Sequence, residues 1–349
     1  MLNQKYSVRE AGFRDHAQGV VRLWTSGLAG VTTASATHKL EHGYFANPAG
    51  QGRCIVLSTL TSPQPIGVQC LHIRRFQIGN RVLQGAALAD YVVSQEHRSL
   101  GPALQLLKHS VAIGVGSYDL IYGMPNRNAL AVCKRVGLKQ IGLLERYGRL
   151  LKLRFIFRNS QPPAWFKLGA PIADSLLSLI DGLYRLIRGN RLQARDTDWS
   201  NPEIDAIWGQ RAPALLLCER NNANLIWRYG PDPAALGWKL TVLSRSGQPI
   251  GYVVWRNEQG IAVVSDYFSA EPESNLLDVM LAFCAHARRQ DACAISLEFF
   301  GSPGVVASLK RAGFIAKEGG APVVLQFAPG TEAIAPEQFY LTSYERDLN

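Results

Sequence analysis

No two cysteines in this 349-residue chain are spaced C-x-x-C, and no cysteine–histidine cluster has zinc-binding spacing. The six cysteines, at 54, 70, 133, 218, 284 and 293, therefore read as free thiols of a reducing compartment. No metal or redox cofactor is indicated. No apolar run is long enough to span a bilayer. Met1 to Gly12 mixes Lys5, Arg9 and Glu10 and has no apolar core, which excludes a secretory signal. The expected location is cytoplasmic, with peripheral attachment to the inner membrane as its one extension. Acidic residues are outnumbered, 27 against 37 Lys plus Arg, for a net charge of +10. With 47% hydrophobic and 18% charged residues the chain can bury real cores and is not disordered. Its 32 glycines and 18 prolines argue for short turns rather than a long helical bundle.

The excess positive charge is uneven. Between Leu130 and Arg158 stand Lys134, Arg135, Lys139, Arg146, Arg149, Lys152, Arg154 and Arg158, against Glu145 alone. Such a segment attracts anions, or is simply a solvated basic face.

Within the chain the sequence repeats. Leu88-Ala89-Asp90-Tyr91 matches Val264-Ser265-Asp266-Tyr267, and Cys133-Lys134-Arg135-Val136-Gly137-Leu138 matches Leu309-Lys310-Arg311-Ala312-Gly313-Phe314. Both pairs share one offset (90 to 266, 137 to 313). Gln64-Pro65-Ile66-Gly67 matches Gln248-Pro249-Ile250-Gly251 at a slightly larger offset, and Tyr44–Pro48 loosely resembles Tyr229–Pro233. A shorter hairpin in the second copy accounts for the change of offset. The period is too long for a solenoid and indicates a duplicated domain. The division expected is residues 1–160, a linker over 161–200, and 201–349. Ser160-Gln161-Pro162-Pro163 breaks the first copy, and Pro171–Arg188 forms an amphipathic helix, read as a packed linker with a membrane-surface helix as the sharper alternative.

Period and turn chemistry give the first copy an order of strand, helix, three strands, helix, strand, helix, strand. The last strand is placed over Leu150–Phe157. The second copy repeats the later part. The fold class is α/β (α+β), a mixed, mostly antiparallel sheet flanked by helices in each copy.

The chemistry concentrates where strand Leu88–Val93 runs into Arg98-Ser99-Leu100-Gly101-Pro102-Ala103 and a helix begins. A glycine-bearing turn that opens a helix presents unpaired N–H groups and the positive end of the helix dipole to a diphosphate, and Arg98 adds charge. Pro102 removes one donor but is tolerated in a first turn. This stretch resembles the Arg/Gln-x-x-Gly-x-Gly/Ala signature of the GNAT (GCN5-related) acyltransferases. Asn126-Arg127-Asn128-Ala129 and Lys134–Leu138 resemble that family's next elements. The resemblance implies an acyl-CoA substrate, acetyl-CoA first, held by Val92, Val93, Arg98, Ser99, Leu100, Gly101, Ala103, Asn126 and Asn128. The family's thiolate-protonating tyrosine falls at Cys133, where a small core residue is the competing reading. In the second copy the motif positions are Ser274 to Val279, without arginine or glycine, and Asp278 would repel phosphate, so that copy is not expected to bind coenzyme A.

An amine attacking a thioester needs a base, an oxyanion donor and an acid. Asp90, Glu96 and His97 are candidate bases; Asp90 also reads as a structural group, because Asp266 repeats it in the copy without a cofactor loop. Two-domain chains of this kind resemble proteins associated with bacterial surface-polysaccharide synthesis, which implies an amino-sugar acceptor contacted by Trp227, Arg228 and Tyr229; core packing is the alternative for these aromatics. An acyl carrier protein and an anionic membrane surface are the other partners considered. A non-catalytic coenzyme A-binding or assembly module and an aminoacyl-tRNA-dependent transferase stay open; nucleic acid is disfavoured by the intact phosphate loop.

Overall fold

The computed structural model describes residues 5–157, 164–230 and 237–347, with 164–168 as backbone only. The break at Ser160–Pro163 and the Pro231–Pro233 part of the loose repeat lie outside the described residues. The first copy comprises strand β1 (Tyr6–Ala11), helices α1 (Phe13–Gly27) and α2 (Thr33–His38), a π-helical turn (Lys39–Phe45), strands β2 (Arg53–Thr59), β3 (Ser62–Ile78) and β4 (Arg81–Val93), helix α3 (Leu100–Ser117), strand β5 (Leu120–Gly123), helix α4 (Arg127–Arg135) and strand β6 (Lys139–Leu150). Helix α5 (Ala164–Ile187) follows. The second copy comprises β7 (Gln193–Thr197), α6 (Glu203–Gly209), β8 (Leu216–Cys218), α7 (Asn222–Tyr229), β9 (Lys239–Arg245), β10 (Gln248–Glu258), β11 (Ile261–Ser269), α8 (Pro272–Arg289), β12 (Ala294–Gly301), α9 (Pro303–Arg311), β13 (Ile315–Phe327) and β14 (Phe339–Leu341).

Both copies build the same hairpin, β3–β4 and β10–β11, and the second is shorter, as the change of offset requires. Asp90 and Asp266 sit at matching bulges near the ends of β4 and β11. Each carboxylate accepts a hydrogen bond from a buried tyrosine, Tyr44 for Asp90 and Tyr252 for Asp266. The repeat is thus structural as well as textual.

One strand differs from the sequence expectation. The last strand of the first copy is Lys139–Leu150, not Leu150–Phe157, which is a bend and a 3₁₀ turn (Leu153–Phe157). Asp174 of α5 accepts from the Leu153 amide, and the Leu151 and Lys152 amides both donate to Cys293 O. These bonds turn the chain away from the sheet at Leu151.

The two copies share a single sheet of order β1-β2-β3-β4-β5-β13-β6-β12-β11-β10-β9-β7. β13, the last long strand of the second copy, pairs with β5 of the first over Leu120–Gly123. β6, the last strand of the first, pairs with β12 of the second over Glu145–Leu150. The copies have exchanged their final strands. Residue 160 divides them in sequence but not in space. A fragment ending at residue 160 leaves β5 and β6 without β13 and β12, with buried ladder groups and apolar surface open to pairing. Expressed alone, it is expected to be insoluble or to self-associate, and size-exclusion chromatography of the fragment checks this.

Candidate active site

β4 pairs with β5 in parallel only over Gly85–Ala87, opposite Leu120–Tyr122. From Leu88 onward β4 pairs only with β3, so one edge of its backbone is open. The bulge at Asp90, held at φ 53°, turns that strand end. Aspartate tolerates this left-handed conformation better than most residues. Gln69 fills the gap made by the bulge and donates to Ala89 O at 2.7 Å.

A cavity of about 840 Å³ opens beside this edge. The loop after α1 (Leu28–Val31) and the α2 segment form one wall, the splayed ends of β4 and β5 a second, and the start of α4 a third. Arg228, Tyr229 and Asp347 come from the second copy and the C-terminal segment. Both copies therefore contribute to one cavity.

Asp90 lines it but is committed. Its carboxylate accepts from Lys39 Nζ at 2.5 Å and from the Tyr44 hydroxyl. Asp266, its counterpart, accepts from Arg220, Tyr252 and Thr342 in a place fully closed to solvent. Arg220 pairs with Asp266 as Lys39 pairs with Asp90, and its guanidinium lies over the ring of Tyr344.

Asp347 was not singled out by sequence reasoning. Burial, joined by the nearby charge of Asp90, pushes its carboxyl up to about 6, with Lys39 pulling the other way. It is a carboxylate at neutral pH that binds a proton far more readily than an ordinary aspartate. Arg228 ties down the segment that carries it, donating to Arg346 O at 2.9 Å and Asp347 O at 3.2 Å. Its Nη1 is buried and has no hydrogen-bond partner among the described residues. His38, Lys39 and His42 add polar groups from the first copy.

Cys133 lies on the cavity wall at the inner side of α4, and burial pushes its thiol up to about 11, so it holds its proton at neutral pH. Tyr91, next to the bulge, donates to Ala103 O at 2.8 Å and links the cavity to the first turn of α3. That turn begins at Ser99, whose side chain makes no capping bond. The first amides of α3 keep their capacity for an anion. A Cβ at Gly101 would meet nothing within 4 Å, so the approach to these amides is clear. Leu100 and Arg98 are exposed there, the guanidinium of Arg98 lying 3.3 Å from Val93 O.

Val92 packs against α1 beneath Gly27, and Val93 lies in the core under α3. Their side chains face away from the cavity, leaving only backbone for a ligand. Glu96 is exposed in a 3₁₀ turn outside the cavity lining, and His97 beside it bonds the Tyr6 hydroxyl at 3.1 Å. Asn126 caps α4, accepting from the Asn128 and Ala129 amides, while Asn128 itself is exposed. Trp227 is core: its indole donates to His42 O at 2.8 Å and its face carries Arg74 at 4.9 Å. Tyr229 reaches the cavity edge while its hydroxyl bonds Ser265 at 2.9 Å. In the second copy Asp278 lies within α8 and is paired with Arg188 at 3.0 Å and Arg245 at 3.4 Å. The first turn of α8 holds its own acid, Glu273.

Neither a protein-family model nor a curated protein matches the chain. Solved structures do match. A GCN5-related N-acetyltransferase from Anabaena variabilis superposes with TM-score 0.60 at 14% identity, over 93% of this chain and 73% of the other. A probable N-acyltransferase from Enterococcus faecalis gives 0.59 at 13%, over 92% and 72%. The N-myristoyltransferase of Saccharomyces cerevisiae, solved with myristoyl-CoA, gives 0.53 at 10%, over 97% and 84%. The chain has the fold of the GCN5-related N-acetyltransferases.

Proposed function

We propose that the chain is an N-acyltransferase moving an acyl group, acetyl first, from coenzyme A to a primary amine bound in the first copy's cavity. The observation that carries this reading is the cavity between the open edge of β4 and the proton-accepting carboxylate of Asp347, which Tyr91 joins to the uncapped start of α3 although the residues of that turn lie outside the cavity lining. In this reading the α3 amides and Arg98 hold the pyrophosphate, and the thioester lies along the β4 edge. Asp347 takes a proton from the acceptor ammonium. The freed amine attacks the thioester carbon, the C–S bond breaks, Cys133 is placed to protonate the departing thiolate, and the second proton, released from the new amide nitrogen, restores the Cys133 thiol. The structural neighbours act on acyl groups by their printed descriptions, which supports the class but not the acceptor. An amino sugar of surface-polysaccharide synthesis remains the acceptor to try first, since His38, Lys39, His42 and Arg228 surround the cavity with hydrogen-bonding groups. The non-catalytic coenzyme A-binding module is the second reading, favoured by a cysteine where a tyrosine acid is expected.

Gly101→Glu tests the donor site. A glutamate near the start of a helix does not weaken the helix, because its charge suits the dipole, yet it fills the anion site. Acetyl-CoA affinity by calorimetry is expected to fall about 100-fold or more, the weight of several charge-assisted hydrogen bonds, with an unchanged melting temperature. Unchanged affinity would remove this loop from the site. Retained acyl-CoA binding without turnover on any amine would favour the binding module.

A further inference from the structure

Helix α5 is docked the wrong way round for a helix of a free-standing globular protein. A surface helix normally turns its apolar stripe to the core and its charges to water. Here the charges face inward. Asp181 accepts from Arg149 at 2.6 Å and from Arg288 at 2.7 Å, and Asp174 accepts from the Leu153 amide. Arg185 donates to Leu192 O at 3.1 Å. The apolar stripe faces out: Ile172, Leu176, Leu179, Ile180, Leu183, Leu186 and Ile187 are each between 54% and 75% exposed. From Pro171 to Ile187 every exposed residue is apolar, glycine or serine. Ile156, also exposed, lies on the 3₁₀ turn packed against α5.

So large an exposed apolar face marks an interaction site, and the charges around it choose the occupant. Both acids of the helix are turned inward and neutralised. Past its C-terminal end stand Arg188, paired with Asp278, and the exposed Arg191, with Arg289 near Arg185; Arg154, paired with Asp291, lies on the 3₁₀ turn packed against the helix. A seam between two copies of the helix would call for charged residues flanking the stripe to set the pairing, and the outward face has none over two full heptads. An apolar face of this width with a basic surround fits the boundary between headgroups and acyl chains of an anionic bilayer.

We propose that α5 lies in the surface of an anionic membrane and holds the protein there as a peripheral protein. This rests on α5 alone and not on the acyltransferase reading.

The experiment is flotation of the full chain with phosphatidylcholine vesicles, with and without phosphatidylglycerol, for wild type and the double variant Leu179→Glu/Leu183→Glu. Both leucines point to solvent, so the variant is expected to fold, and circular dichroism verifies it. Wild type is expected to float with the phosphatidylglycerol vesicles, less so at high salt. The variant is expected to lose roughly tenfold or more in partitioning, from two buried leucines replaced by charges. Equal flotation of variant and wild type would place the contact elsewhere and overturn the proposal. So would failure of wild type to float. A wild-type dimer in light scattering, dissociated by the same substitutions and not floating, would assign the stripe to a second copy instead. Equal partition into neutral vesicles would overturn the anionic preference.

Discussion

Asp347→Asn is expected to lower kcat by about 10²–10⁴-fold, the usual contribution of a positioned general base, with acetyl-CoA affinity unchanged. Asparagine keeps the shape and hydrogen bonds of the side chain but cannot accept the ammonium proton. Wild-type kcat/KM should rise as pH increases through about 6, where burial places the Asp347 carboxyl, and the variant should lose this limb. Stability moves the other way. The folded-state value lies above the ordinary 3.8, so the folded chain holds this proton more tightly than the unfolded chain does. That contribution is present at low pH and is lost as pH rises through about 6. At pH 8 the partly buried charge is a cost, and Asp347→Asn should melt no lower than wild type. Activity lost together with an equal or higher melting temperature would identify a functional carboxylate. A flat pH profile in wild type, or full activity in the variant, would remove Asp347 from the mechanism.

A second large effect is expected in the buried cluster around Asp266. Arg220 is fully buried and pairs with Asp266 at 3.2 Å and Glu345 at 2.6 Å, both carboxylates also closed to solvent. Burial already pushes Glu345 up against the pull of Arg220. Arg220→Leu leaves two buried carboxylates without a cation and should destabilise the chain by about 3–5 kcal/mol. At roughly 2–4 °C per kcal/mol, the melting temperature should fall by about 6–20 °C. Adding Asp266→Leu removes one of the orphaned charges and should recover part of the loss. If Arg220→Leu melts within a degree of wild type, the triad does not hold the second copy together. Asp90 and Asp266 are both ion-paired, to Lys39 and to Arg220 respectively, but Asp90 lines a cavity while Asp266 is fully closed to solvent.

Much of this was legible in the sequence, because repeats and turn chemistry are local. The Asp90/Asp266 strings, the Gly101 loop and the shortened hairpin each mark an element that sits where its residues place it. What escaped was set by distant partners. β6 and β13 read weakly, since each is completed by a strand from the other copy, and periodicity carries no record of which strand lies alongside. Asp347 sits in a short polar terminal segment with no motif; only folding brings it beside Asp90. Trp227 was readable as a ligand-stacking ring or as core, and the choice depended on His42, from the other copy, accepting its N–H. The apolar period of α5 was plain, but periodicity defines a face without saying which way it points.

Strand exchange also sets a timetable for biosynthesis. β5 ends at Gly123 and its neighbour β13 begins at Ile315. At ribosomal rates of about 5–20 residues per second, roughly 10–40 s separate the two. Throughout that interval the nascent first half carries an unpaired sheet edge and unfinished core. It cannot settle as a finished unit while the rest is made, as most N-terminal domains do. Final closure waits until β13 has emerged, so the exposed edge must be shielded during elongation, and synthesis that stalls after the first copy would release an aggregation-prone intermediate.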